Sequence, residues 1–248
     1  MSNIVFLLIV LPIIAAMVCF LIRVDLVRAI TVTITGAVLS VTSLVLLGHG
    51  NFTFHVSGIW ETLVTILDFA LLALVLFFGF KLNNRIIKSL TIFQLVLLAF
   101  FELFILEHGT EIPALRGDSL ALIMVVIVSI IGSLICIFGL PYMKNHEEHL
   151  ELKKSRQPIF FLLLLLFLGA MNGLVLSNNI LWLYFFFEVT TLCSFALIGH
   201  DGTKEAVENS TRALWINSMG GAMLLTAIVI IYTTAGTLDI SILLTRGQ

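Results

Sequence analysis

Eight apolar runs, each long enough to cross a bilayer as a helix, decide what this chain can become. A span needs roughly 20 predominantly apolar residues. Runs at about 4–22, 27–48, 63–80, 86–106, 119–140, 158–177, 180–199 and 212–232 meet that length. Composition closes off the soluble alternative. Of 248 residues, 60 % are hydrophobic and 11 % charged, with mean hydropathy +1.14, against about 45–50 % and about 25 % in globular chains. The alternating pattern of a membrane barrel strand does not occur. The expected fold class is an all-α integral membrane protein, a bundle of about eight transmembrane helices in a single transmembrane domain. The first run has neither a basic leader nor a small-residue cleavage site, so it is expected to stay as a span. Pro158 suits the first turn of its helix, where the missing N–H costs nothing.

Orientation follows from the basic residues. The odd-numbered connections hold Arg23 and Arg28; Lys81, Arg85 and Lys88; Lys144, Lys153, Lys154 and Arg156; Lys204 and Arg212. The even-numbered connections and the termini hold only Arg116 and Arg246, eleven against two. Basic short loops stay cytoplasmic, which predicts both termini outside and opposite sidedness for Glu147 and Ser57. No connection exceeds about twenty residues, which leaves no room for a soluble catalytic domain or a phosphate-binding loop. Redox chemistry is therefore expected in other chains, with no cofactor in this one. A net charge of −2 without blocks of like charge gives no reason to expect a nucleic-acid partner.

Polar residues at depth are the candidate site. Glu188 lies eight residues into its run, about 12 Å deep, with Tyr184 four residues before it and Thr191 three after it on the same helical face. An ionisable group at that depth points to a proton or ion path; the alternative is a neutral acid acting as glue between helices. Asp68 lies about six residues into the third run and Glu102 about five residues from the far end of the fourth, and the tight Lys81-Leu82-Asn83-Asn84 connection joins the two runs. An antiparallel hairpin there is expected to bring the two acids together, with Gln94 between them and the middle of the membrane; the alternative is that both reach headgroup water. Asn217 sits in a small-residue cluster with Ser218, Gly220 and Gly221, and reads either as helix packing or as part of a hydrated path. Asp118 is expected to cap the fifth span.

Cys19, Cys136 and Cys193 stand alone in apolar runs and read as small hydrophobes. His49, His55, His108, His146, His149 and His200 fall in or beside connections. The pair in NHEEH is expected in a solvated charged loop and no metal site is expected.

Three stretches carry a resemblance: DSLALIMVVIVSIIGSLICIFGLPYM (118–143), FFLLLLLFLGAMNGLVLSNNILWLYFFFEVTTLCSFALIGH (160–200) and TRALWINSMGG (211–221). Together they resemble the antiporter-like subunits shared by respiratory complex I, energy-converting membrane-bound hydrogenases including formate hydrogenlyase, and multisubunit Na+/H+ antiporters. The family signature stands here as FFFEVTTLCSFALIG, with Phe187 where tryptophan is common. Residues 1–62 then correspond to the first two spans and an outer loop, 118–232 to the antiporter-like core helices, and 63–106 looks like an inserted hairpin.

The resemblance implies an ion(proton)-translocating membrane subunit of a complex-I-like or hydrogenase-type oxidoreductase, coupling electron transfer to H+ or Na+ pumping. The alternatives are a non-pumping structural or assembly subunit, or part of a multisubunit Na+/H+ antiporter. Glu188, Tyr184, Thr191, Asp68, Glu102, Gln94 and Asn217 would form the proton path. The family continues beyond GTLDISILL into a broken helix whose lysine partners the glutamate, so a second chain or a continuation is expected to supply that lysine. Other implied partners are further membrane subunits, peripheral redox subunits and lipid. Iron–sulfur clusters and, in a hydrogenase, a nickel–iron site are expected in those partner subunits. The expected location is a prokaryotic cytoplasmic membrane.

Overall fold

The computed structural model describes residues 2–22, 24–55, 58–106, 113–149 and 155–246. Arg23, Ser57, His108, Lys153 and Lys154 lie outside them. The described elements, in chain order, are α1 Ser2–Leu21, α2 Asp25–His49, β1 Phe52–His55, α3 Gly58–Lys81, α4 Arg85–Phe100 running into a π-turn Phe101–Ile105, β2 Pro113–Gly117, α5 Ser119–His149, α6 Gln157–Leu176, α7 Ile180–Ile198, α8 Lys204–Ala235 and a short α9 Ile240–Arg246. Among the described residues, eight of these helices are long and apolar enough to cross a membrane. This is an integral membrane protein of the expected helical class, with one small addition: β1 and β2 pair as a two-stranded sheet.

Several helices, α3, α5 and α8 above all, run past their apolar stretches. α5 continues past residue 140 to His149, so the NHEEH segment expected in a loop is helix; His146 stacks on Tyr142, and His149 Nδ1 lies 2.8 Å from the Asn145 carbonyl oxygen. α8 begins at Lys204, which places both Lys204 and Arg212 inside the helix instead of ahead of it. Hydropathy locates the membrane-buried part of a helix, whereas caps locate its ends. Thr203 accepts from the Ala206 N–H at 3.1 Å to start α8, and Gly236, at φ 67°, closes it with its N–H on the Tyr232 carbonyl. Asp118 caps α5 as expected, accepting from the Ala121 N–H at 2.8 Å.

The chain divides into two compact units, each built from two stretches of sequence. Unit 1 comprises residues 1–52 and 117–176, and unit 2 comprises 53–116 and 177–248. The sequence groups 118–232 together; in the structure α5 and α6 belong with α1 and α2, while α7 and α8 belong with the hairpin of α3 and α4.

In unit 1, α1 packs on α6 and α2 on α5. Proline is the local problem in α1. Pro12 has no N–H to give to the carbonyl of Leu8, four residues back. Asn172 of α6 repairs this, its Nδ2 donating to the Leu8 oxygen at 3.2 Å. α6 comes close enough because residue 169 is glycine; a Cβ there would lie 2.9 Å from the Ile9 oxygen. Arg28, counted among the loop cations from sequence, is buried in the first turn of α2 and donates to Gln157 Oε1 at 2.8 Å and Asp25 Oδ1 at 2.9 Å.

In unit 2, α3 and α4 form the expected antiparallel hairpin. Asn83 takes φ 49° in the turn, a conformation asparagine tolerates, and Asn84 caps α4 by accepting from the Ile86 and Ile87 N–H groups. α3 packs on α7, and α8 packs on both α4 and α7. Leu72, Leu98, Phe101, Leu181 and Leu225 fill the apolar core beside Tyr184.

Candidate functional site

Glu188 sits near the middle of α7 and is 1 % exposed. Tyr184, one turn back on the same face of α7, is fully buried. Gln94, at the middle of α4, faces both: its Nε2 donates to Glu188 Oε1 at 2.9 Å and to the Tyr184 hydroxyl at 3.2 Å. The hairpin therefore supplies the amide that straddles the glutamate and the tyrosine. Sequence placed these residues at compatible depths but could not give their rotation about the helix axes.

α8 closes the site with backbone, not side chain. A Cβ at Gly221 would overlap Glu188 Oε1 and lie 2.6 Å from Gln94 Nε2. Sequence marked Gly221 only as one of several small residues; its role is to let α8 lie against the carboxylate. Three residues earlier, Ser218 is buried on the same face, and its Oγ has no hydrogen-bond partner. Asn217, named from sequence, is half-buried, and the fully buried polar residue here is its neighbour. Thr191 is buried one turn beyond Glu188.

Asp68 is buried in α3, ten residues from the helix start instead of about six, because α3 begins at Gly58. It lies in electrostatic range of Glu188 first and Glu102 second. Asp68 Oδ1 and Gln94 Oε1 both lack hydrogen-bond partners. Glu102 is half-buried in the π-turn and accepts from Thr65 Oγ1 at 3.2 Å, one helical turn along α3 from Asp68. Neither Thr65 nor the π-turn had a signal in the sequence. No Lys, Arg or His of unit 2 is buried among the described residues. The described residues also hold no cluster of three or more His, Cys, Asp or Glu able to bind a metal ion.

Chemically, the arrangement is a carboxyl group in an apolar bundle with neutral donors on one side. Three buried oxygens from α3, α4 and α8 stay open to a further hydrogen-bond donor or cation.

Comparison with known families gives this arrangement a context. The family described as NADH:quinone oxidoreductase/Mrp antiporter, TM, matches residues 177–247, and the one described as NADH-Ubiquinone oxidoreductase (complex I), chain 5 N-terminus, matches 113–152. The chain belongs to this antiporter-like membrane family. Among its relatives, Putative antiporter subunit mnhA2 of Staphylococcus haemolyticus is 36 % identical over 134 residues, 54 % of this chain and 16 % of the relative. NAD(P)H-quinone oxidoreductase subunit 5, chloroplastic, of Phaseolus vulgaris is 33 % identical over 171 residues, 68 % of this chain and 21 % of the relative. A protein of Rhizobium meliloti described as part of a probable K(+)/H(+) antiporter is 31 % identical over 135 residues, 54 % of this chain and 13 % of the relative. The matches to these three thus cover about a fifth or less of each relative's length. Glu188, Tyr184 and Gly221 fall inside a family match; Asp68, Gln94 and Glu102 fall outside both.

Proposed function

We propose that this chain is, or forms part of, an ion(proton)-translocating membrane subunit in which Glu188 takes up and releases the proton. The observation that carries this reading is the burial of an ionisable Glu188 at mid-helix beside three oxygens that lack partners. A carboxyl kept only as glue would be expected among satisfied neighbours. Gln94 holds Glu188 Oε1 in place and is itself held by the Tyr184 hydroxyl, and Thr191 extends the polar face along α7.

The complex we favour is complex-I-like or of the energy-converting hydrogenase type, with electron transfer driving H+ or Na+ pumping. A second reading, membership of a multisubunit cation/proton antiporter, draws support from the named antiporter relatives. In either complex, further membrane subunits, a lysine from another chain or a continuation, and surrounding lipid would complete the unit. In the first, peripheral redox subunits would carry iron–sulfur clusters and, in a hydrogenase, the nickel–iron site. We place it in a prokaryotic cytoplasmic membrane with both termini outside, on the distribution of basic residues.

Glu188→Gln tests the central role, since it keeps size and hydrogen bonding while removing titration. In everted membrane vesicles, dye-reported proton movement driven by reductant or by an imposed Na+ or K+ gradient should collapse while the complex still co-purifies intact. Undiminished movement in that variant refutes proton handling by Glu188. The gradient that drives the wild type separates the redox-coupled reading from the antiporter.

A further inference from the structure

The hairpin of α3 and α4 lies outside both family matches, yet it contributes the amide that touches Glu188. Its polar residues follow a graded course. Measured along the helices from the turn, Thr65 and Glu102 are at about 24 and 26 Å, which is why their side chains meet. Asp68 is one turn closer to the turn than Thr65, and Gln94 lies about 12 Å below Glu102. Exposure falls in the same order. Glu102 is half-buried in a π-turn whose next two residues, Leu103 and Phe104, are each 76 % exposed; Asp68 is 2 % exposed and Glu188 1 %.

We propose that this hairpin is a proton-conducting arm of the chain's own, linking Glu102 through Asp68 to Glu188, with Gln94 as the residue that positions the Glu188 carboxyl. The proposal rests on the reading of Glu188 given above.

Acidic residues in a row do not by themselves make a route. Two further observations do. The Oε1 of Gln94 and the Oγ of Ser218, both fully buried and on different helices, have no partner, and neither does Asp68 Oδ1. Water between Asp68 and Glu188 would be held by Asp68 Oδ1 of α3 and Gln94 Oε1 of α4, while Ser218 Oγ lies about one helical turn nearer the 82–84 end than Gly221. The π-turn is the second. A π-turn widens the helix and is often found at functional sites; here it occurs at half-buried Glu102, with the Leu106 N–H reaching back five residues to the Phe101 carbonyl at 2.9 Å.

Proton bookkeeping closes. Glu102 in its acid form releases a proton to the Asp68 carboxylate and becomes a carboxylate itself. Asp68 passes the proton to the Glu188 carboxylate and is restored. Glu102 then takes a proton from the aqueous phase. One proton enters and one arrives at Glu188, with the charge of the hairpin unchanged, Glu102 being again an acid and Asp68 again a carboxylate; for movement toward Glu102 the same steps run in reverse. The groups facing Asp68 across the packed helices are Glu188 and Tyr184 of α7 and Glu102 of the π-turn; α8 offers no ionisable residue between Arg212 and Tyr232.

The test uses the assembled complex in everted vesicles, with proton movement followed across a range of pH. Asp68→Asn is expected to slow proton movement about a hundredfold, Asp68→Glu to restore most of it, and Glu102→Gln to displace the pH profile, an effect that a merely structural residue would not produce. In infrared difference spectra, one deuterium-sensitive carboxylic-acid band should vanish in Asp68→Asn and a different one in Glu188→Gln. Wild-type rates and pH profile in both Asp68→Asn and Glu102→Gln, with Glu188→Gln inactive, overturn the conducting arm and leave the Glu188 role standing. Should Asp68→Asn fail to assemble, half-buried Glu102 decides alone, and an unchanged profile in Glu102→Gln overturns the proposal. An active Glu188→Gln would instead remove the reading on which it rests.

Discussion

Each unit buries a charged or ionisable side chain among apolar helices, and the two deal with it in opposite ways. In unit 1, Arg28 is bound on two of its three nitrogens, by Gln157 and by Asp25, which is 84 % exposed. Gln157 in turn donates to Glu147 Oε2 at 2.8 Å, and Glu147 Oε1 accepts from the Arg156 and Gln157 N–H groups at the start of α6. A charge there is tied into the caps and ends of helices. In unit 2 the buried acids meet a neutral amide, a phenol and a glycine backbone, and three oxygens are left without partners. The first arrangement fixes a structure, whereas the second leaves room for something exchangeable.

Gly221 is the most damaging place to break the unit 2 arrangement. Gly221→Val puts a branched side chain where Glu188 and Gln94 meet, and overpacking of this kind costs about 3 kcal/mol. Both a fall in thermal stability of the purified complex and loss of proton movement are expected, and wild-type behaviour in both would show that α8 does not press on the carboxylate. A smaller effect is expected in unit 1. Asn172→Leu strips the Leu8 carbonyl of its donor, at about 2 kcal/mol for a buried orphaned acceptor, and should lower the melting temperature without changing the pH profile of transport. A pH-dependent change there would erase the contrast between the units.

The smallest effect separates unit 2's acids from one another. Asp239 caps α9, accepting from the Ser241 hydroxyl at 2.5 Å, the Ser241 N–H at 2.8 Å and the Ile242 N–H at 3.2 Å. Burial pushes its carboxyl up, but the bonds from Ser241, Ile242 and Asn178 outweigh burial and hold it below the usual carboxylate range. A depressed value means that the stabilisation is complete above the ordinary aspartate range and is lost as pH falls through the folded-state value. Asp239→Ala should cost about 1 kcal/mol at neutral pH. The stability difference between wild type and variant, followed by denaturation at stepped pH, should shrink on acidification; a difference independent of pH would mean that the carboxylate charge contributes nothing to the cap.

The eight spans were legible because lipid imposes a length, and roughly 20 apolar residues in a row have few other uses. The cap at Asp118 and the turn at 82–84 were legible because local chemistry sets them. Helix ends were not: the polar segments that extend α5 and the start of α8 carry no hydropathy signal. Arg28 looked like a loop cation because a count of basic residues carries no information about burial. For the site, depth along the chain brought Glu188, Gln94 and Asp68 to the right levels, but which side chains meet depends on rotation, and α4's rotation is set by packing against α8 as well as α3. The meeting of Thr65 with Glu102 depends in addition on a π-turn, and a single widened turn leaves no periodic trace.

Pro12, Gly169 and Asn172 have a consequence for how such a chain can change over time. Proline at position 12 leaves a carbonyl that the amide of residue 172 serves, and glycine at 169 lets the two helices come close enough for the service. A chain that replaced the proline would regain an N–H for Leu8 within its own helix and leave the Asn172 amide without that acceptor. Loss of the asparagine first would strand the carbonyl. The three positions should therefore be inherited together and lost together, as one linked trait spread over 160 residues of sequence.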